Sequence, residues 1–304
     1  MSNKEIIRLE TISKLSDKMI SRSEVCELLG LSYRQVSNLL RAYKEKGAPG
    51  LTHGSRGRRS NRRYPDSLQK KVINIIRENY YDFGPTFASE KLNEVEGIIV
   101  SRETLRKWMM DANLWTVRKR RKKQKPREWR KRKDNFGQMV QLDGSEEFWF
   151  ETRGPKCVLM SYIDDATNSL YARFYMSEST YSAMDSLKRY IQLYGIPSSI
   201  YFDRHSVYKT TRKPNSDEQL KGEYPLTQFG RVMELLKIKR IYAYSPQAKG
   251  RVENRFKTLQ DRLIKELRLA NINNIEDANK FIENYLVKFN KKFAIPACGS
   301  EDYH

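Results

Sequence analysis

The stretch Gly137-Gln138-Met139-Val140-Gln141-Leu142-Asp143-Gly144-Ser145 decides the fold. Its first six residues, GQMVQL, read as a short β-strand that stops at an acid followed by two turn-formers. Downstream, Lys156–Ile163 (KCVLMSYI) and Leu170–Met176 (LYARFYM) are two further strands joined by the turn 164–169. Thr180–Tyr194 is an amphipathic helix closed by Gly195, and Ser199–Phe202 is a fourth strand that ends at Asp203. After a polar insertion at 209–224 come a helix over 226–236, a strand over 240–244 and a long helix from about Gln247 to Leu269.

Three strands, helix, strand, helix, strand, helix describe a mixed five-stranded α/β sheet flanked by helices, of ribonuclease-H-like type. Asp143 and Asp203 are expected immediately after strands one and four, where neighbouring strands would bring their carboxylates to one edge. Glu253 falls one to two turns into the long helix and can lean over the same edge. Three converging carboxylates repel one another unless cations neutralise them. Two divalent ions about 3.5–4 Å apart would make them ligands, and hard oxygen donors favour Mg²⁺ or Mn²⁺. Asp164 and Asp165 are rival acids, though their place in a turn after strand two suits ordinary turn capping.

Upstream the pattern is helical. Ile6, Ile7, Leu9, Ile12 and Leu15 recur at helical spacing over 5–15. Ser23–Leu29 fits a short helix with Ser23 as N-cap and Val25, Leu28 and Leu29 facing inward; Gly30 breaks it, and Tyr33–Lys46 follows with Val36, Leu39, Leu40 and Tyr43 as its apolar stripe. Short helix, glycine turn, longer helix is the helix-turn-helix pattern, whose outer face offers Arg34, Gln35, Asn38 and Arg41 to bases or phosphates. The glycine- and arginine-rich run that follows carries Arg56, Arg58, Arg59 and Arg62, a composition suited to a phosphate backbone or a minor groove. Helices over 66–81, 86–93 and 101–112 form a second helical unit, with Ser101 capping a candidate recognition helix that offers Arg102 and Arg106.

Charge points to the partner. Lys and Arg total 58 against 37 acids, a net charge of +21, which favours a polyanion. Twelve of the eighteen residues from Thr116 to Lys133 are basic, a run dense enough to repel itself until nucleic acid orders it. Three scattered cysteines (Cys26, Cys157, Cys298) exclude a disulfide framework and a zinc knuckle. No apolar run approaches the roughly 20 residues that span a bilayer, so no membrane partner is expected and a cytoplasmic location is. The chain therefore divides into a helix-turn-helix region (1–50), a basic linker (51–64), a second helical DNA-binding unit (65–115), a basic linker (116–135), the α/β core (136–270) and a C-terminal helical extension (271–304).

The motifs Gln141-Leu142-Asp143-Gly144-Ser145, Tyr201-Phe202-Asp203-Arg204-His205 and Ser245-Pro246-Gln247-Ala248-Lys249-Gly250-Arg251-Val252-Glu253-Asn254 resemble those of DDE transposases of bacterial insertion sequences, in the retroviral-integrase superfamily. The last motif is the most specific, and the likeness extends over nearly the whole chain. The resemblance implies a transposase that cuts double-stranded DNA at element ends and joins 3′-hydroxyls to target DNA. It implies Asp143, Asp203 and Glu253 as catalytic metal ligands, about two Mg²⁺ or Mn²⁺ ions, and homo-multimers assembled on the ends. Lys249, Arg251, Asn254 and Lys257 would line the start of the long helix with donors for phosphates.

Three features depart from the family pattern, the first being that nothing here matches the N-terminal His/Cys zinc module of retroviral-type integrases. Asp203 and Glu253 stand 50 positions apart (253 − 203), longer than the commonest spacing, with the polar insertion absorbing the excess. The segment from Ala297 to His304 is shorter than the continuation such transposases carry, so a truncated copy is expected, and a catalytically silent DNA-binding derivative is the competing reading. A structure-selective nuclease would not need tandem helix-turn-helix units.

Overall fold

The computed structural model describes residues 3–53, 63–117, 131–216, 225–242 and 250–304, and the side chains of 250–253 are outside that description. The chain forms two compact units, Met1–Arg118 and Lys119–His304.

The first unit opens with α1 (Asn3–Ser16), α2 (Arg22–Leu29) and α3 (Tyr33–Lys46). The cap of α2 is Ser21 rather than the expected Ser23. Ser21 and Glu24 form a capping box, with the Glu24 N–H donating to Ser21 Oγ at 3.3 Å and the Ser21 N–H donating to Glu24 Oε2 at 2.6 Å. Ser23 lacks an acid three residues on, so it cannot build that reciprocal pair. Gly30 ends α2 at φ +62°, a left-handed position that glycine takes without steric cost. Ile12, Leu15, Val25, Val36, Leu40 and Leu51 form the bundle core. Leu28, expected inside, is 69% exposed because Val25 and Leu29 define the inner stripe and position 28 falls off it. The next bundle, α4 (Asp66–Asn79), α5 (Pro85–Glu94) and α6 (Arg102–Asp111), closes over Val72, Ile76, Tyr80, Phe83, Phe87, Leu92, Leu105 and Met109. Ser101 caps α6 by accepting from the Thr104 N–H at 3.1 Å.

The second unit is a five-stranded sheet in the order β3-β2-β1-β4-β5. Its strands are β1 (Val140–Glu147), β2 (Cys157–Asp164), β3 (Leu170–Tyr175), β4 (Ser199–Phe202) and β5 (Lys239–Tyr242). The first three run antiparallel as a meander, whereas β4 lies parallel to both β1 and β5. Among the described residues four helices cover it: α7 (Thr180–Tyr194), α8 (Gln228–Leu235), α9 (Gly250–Leu269) and α10 (Ile275–Phe293). Contrary to the expectation that strand one stops at Asp143, β1 continues to Glu147, because rungs from Gly144↔Met160 to Glu147↔Cys157 keep it paired with β2.

Strand alternation sorts the side chains into two layers. Val140, Leu142, Val158, Met160, Tyr162, Ile200 and Phe202 pack beneath α7 and α8, together with Leu187, Tyr190, Phe229 and Met233. On the other face Leu159, Ile163, Leu170, Ala172 and Phe174 meet Phe256, Leu259, Leu263 and Leu267 of α9 and Ile282, Leu286 and Phe289 of α10. Helix α10 is thus part of the core. It also closes the edge of β3: Asn279 bonds both the N–H and the C=O of Phe174, at 2.8 and 3.0 Å, and Asn290 does the same for Leu170, at 2.9 and 2.8 Å. Edge groups left open would invite a foreign strand. The tail folds back onto this unit, with the Gly299 N–H on the Asp134 carbonyl, the Tyr303 N–H on the Phe136 carbonyl and the Tyr190 hydroxyl bonded to His304 Nε2 at 2.7 Å. Among the described residues no helix is long and apolar enough to cross a membrane.

Candidate active site

The parallel rungs Val140↔Ile200 and Gln141↔Tyr201 set the register of β1 against β4. Asp143 on β1 and Asp203, the residue after β4, each lie two positions beyond the last of these rungs, where paired strands stand about 4.8 Å apart. Asp203 directly follows buried Phe202 at the end of β4. Leu142 points into the layer under α7 and α8, so Asp143 next to it on β1 alternates onto the opposite face. That is the face α9 covers, and α9 contacts β1. Glu253 belongs to the first turn of α9, three positions before buried Phe256; its side chain lies outside the described residues.

Both aspartates are half-buried. Asp203 Oδ1 accepts from the His205 N–H at 3.0 Å, which turns the chain sharply after the strand. Two buried oxygens flank Asp143 without a hydrogen-bond partner among the described residues: Gln141 Oε1, two positions earlier on β1, and Ser161 Oγ, directly across on β2. Buried polar atoms are normally satisfied, so this pair fits a site built around a hydrated hard cation. Among the described residues no group of three or more metal-ligating side chains is complete, the third acid's side chain being outside them.

The rival acids do different work. Asp164 accepts from the Gly137 N–H at 3.0 Å and from both the N–H and hydroxyl of Thr167 at 2.7 Å. Burial pushes its carboxyl above the usual range, against the pull of those donors. Asp165 takes Gln141 Nε2 at 2.6 Å and the Lys133 N–H at 2.9 Å. Together they hold the segment that enters β1, at the end of the strand remote from Glu147.

Of the expected DNA contacts, Arg34, Asn38 and Arg41 are exposed along α3. Gln35 is exposed too, but its Oε1 accepts from the Ser32 N–H at 2.9 Å to complete the cap of α3, which leaves only its amide nitrogen to offer. Arg102 is exposed on α6, whereas Arg106 is engaged by Glu103, Nε to Oε2 at 2.9 Å. Asn254 and Lys257 are exposed on α9. Arg56, Arg58, Arg59, Arg62 and Lys249 lie outside the described residues, as does the side chain of Arg251.

Sequence reasoning missed two groups at the site. Arg255 is held over Phe289 and Phe293 and donates to the Phe293 carbonyl at 2.8 Å; burial, then the charge of Arg132, pushes its guanidinium below its ordinary range. Glu178 sits against Gly144, and the one signal for it was a glycine directly after the acid.

Residues 2–52 match the family model of a homeodomain-like domain. Over its whole length the chain is 44% identical, across 306 residues, to y4bF of Sinorhizobium fredii, a protein assigned to the transposases. Over 90% of its length it is 30% identical, across 308 residues, to the transposase for insertion sequence IS1202 of Streptococcus pneumoniae. The chain spans 65% of the length of each of these relatives. Among solved structures, the catalytic core domain of HTLV-2 integrase in complex with magnesium aligns with 54% of this chain and 92% of that one, at 15% identity and a TM-score of 0.40. The chain is thus similar over most of its own length to two transposases, and it sets a homeodomain-like region ahead of a mixed five-stranded α/β unit.

Proposed function

We propose that this chain binds the ends of an insertion sequence and catalyses metal-dependent DNA cleavage and strand transfer, with Asp143, Asp203 and Glu253 as the catalytic carboxylates. The observation that carries the reading is the shared register of Asp143 and Asp203, each two positions past the last rung between parallel neighbours, with Asp143 on the face covered by the helix that contains position 253. Those carboxylates would hold Mg²⁺ or Mn²⁺, and the orphan oxygens of Gln141 and Ser161 suit water on such an ion. When bound, a pair of such ions lowers the barrier to in-line displacement at phosphorus by activating the nucleophile and neutralising the leaving oxygen.

The protein's own groups position and neutralise. Asn254 and Lys257, exposed on α9, would donate to phosphates, and the exposed cations of α3 would supply contacts that release counterions. Arg34 and Asn38 are the candidates for base edges, with Arg102 extending the footprint. The functional assembly is a homo-multimer that brings element ends and target duplex together.

The test is incubation of the protein with DNA carrying its own element ends, in Mg²⁺, Mn²⁺ or EDTA. Asp203→Asn should lower cleavage and joining about a thousandfold or more, the equivalent of the several kcal/mol that metal-borne charge stabilisation supplies. Its binding to the ends should stay within about twofold, while Arg34→Ala and Asn38→Ala should each weaken end binding by about 1–3 kcal/mol. Tight end binding with no cleavage in any metal would instead assign the chain to the silent DNA-binding derivatives.

A further inference from the structure

We propose that Glu178 is a positioning residue of this site: it ties the chain leaving Asp143 to the chain leaving Asp203. The proposal rests on the functional reading above. The use for a tie follows from the ladder. The rungs between β1 and β4 are Val140↔Ile200 and Gln141↔Tyr201, so both aspartates stand beyond the last of them. A contact between the two segments beyond that rung would add to what fixes their separation.

Glu178, immediately before the N-cap of α7, reaches both sides of that gap. On the first side it lies flat against Gly144: a Cβ there would come within 2.6 Å of Glu178 Oε2 and 2.9 Å of its Cδ, so any larger residue after Asp143 displaces the carboxylate. On the second side Glu178 Oε1 accepts from the Tyr208 hydroxyl at 2.8 Å. Tyr208 is anchored in turn. Its ring is 2% exposed and packs on Phe202 at 5.2 Å and Phe229 at 5.3 Å. Its N–H donates to the His205 carbonyl at 2.9 Å, and the His205 N–H donates to Asp203 Oδ1.

A continuous path of contacts therefore runs from Asp203 through His205, Tyr208 and Glu178 to the residue beside Asp143. Burial, with the Glu178 charge next in effect, pushes the Tyr208 hydroxyl far above its usual range, so it stays a donor at any working pH. Glu178 approaches from the face of Gly144, opposite to the face of Asp143, which suits a brace and not a ligand.

Two measurements test this on the full chain: Mn²⁺ binding followed by electron paramagnetic resonance, and single-turnover cleavage of an element end. Circular dichroism melts confirm that each variant folds. Tyr208→Phe and Glu178→Ala should each weaken Mn²⁺ binding about tenfold, the usual loss when an outer-shell partner is removed. Glu178→Gln should stay within about threefold of wild type, because a carboxamide oxygen still accepts the hydroxyl. A Glu178→Gln variant as weak as Glu178→Ala would mean that the charge matters and not the bond, overturning the positioning role. Wild-type Mn²⁺ affinity in Tyr208→Phe and Glu178→Ala, with binding lost in Asp143→Asn, would overturn the brace and leave the functional reading standing. No Asp143-dependent Mn²⁺ binding in the wild type would overturn both.

Discussion

In the helical unit the instructions for each element are local, whereas in the sheet unit they are distributed. Helices α2, α3 and α6 each begin at a serine whose partner stands three residues on, at Glu24, Gln35 and Thr104. The side chains proposed to meet DNA, Arg34, Asn38 and Arg41, are exposed on the same short segment that defines the helix. The candidate active site is built the other way. Asp143 and Asp203, 60 positions apart (203 − 143), meet only because β4 inserts beside β1. Local specification tolerates loss of one part; distributed specification does not, since the strands that carry the site also make the core.

Substitutions can break that contrast. Leu159→Ala should have the largest effect on stability, about 2–5 kcal/mol, because Leu159 of β2 is fully buried against the two long helices and its loss leaves a cavity. Denaturant unfolding followed by the fluorescence of Trp149, which packs on Phe174 in that cluster, would report it. Asp185→Asn tests the polar counterpart. Asp185 accepts from the Tyr175 hydroxyl at 2.7 Å and Arg189 Nε at 2.8 Å, joining α7 to β3. Burial works against its charge, but Arg189, Tyr175 and Arg173 prevail and hold the carboxyl below the usual range.

A depressed folded pKa stabilises above the ordinary carboxylate range, and the gain is lost as pH falls through the folded value. Wild type should therefore exceed Asp185→Asn by about 1–2 kcal/mol at neutral pH, and the difference should close in acid, as melts across pH would record. Ser32→Ala should cost least, about 1 kcal/mol, and should register only in the helicity of the first unit. A Ser32→Ala loss as large as that of Leu159→Ala would erase the distinction between the two regions.

The same contrast explains what could be read from sequence. Helices α3 and α7 have the bounds that periodicity and terminal glycines indicate, and β4 ends at Phe202 as its composition suggests. The misreadings lie where a partner decides. Strand β1 overran its turn-like Asp143-Gly144-Ser145 because β2 goes on pairing with it. Leu28 reads as apolar and inward, yet its direction depends on which stripe the neighbouring helices bury. Asp203 follows the last residue of β4 as its composition suggests, whereas Asp143 lies inside β1 and not at its end. Glu178 and Tyr208 were not legible, since no spacing in the chain announces that a carboxylate before α7 will rest on Gly144.

The two asparagines on α10 act as a ruler. Asn279 and Asn290 stand 11 residues apart, three turns of helix to within about 20°, so both face β3 together. One residue inserted between them would swing the second by about 100° and reopen half of a sealed margin. Along this stretch the gene can drift in letters far more easily than in length, and an indel here would first show itself as insolubility.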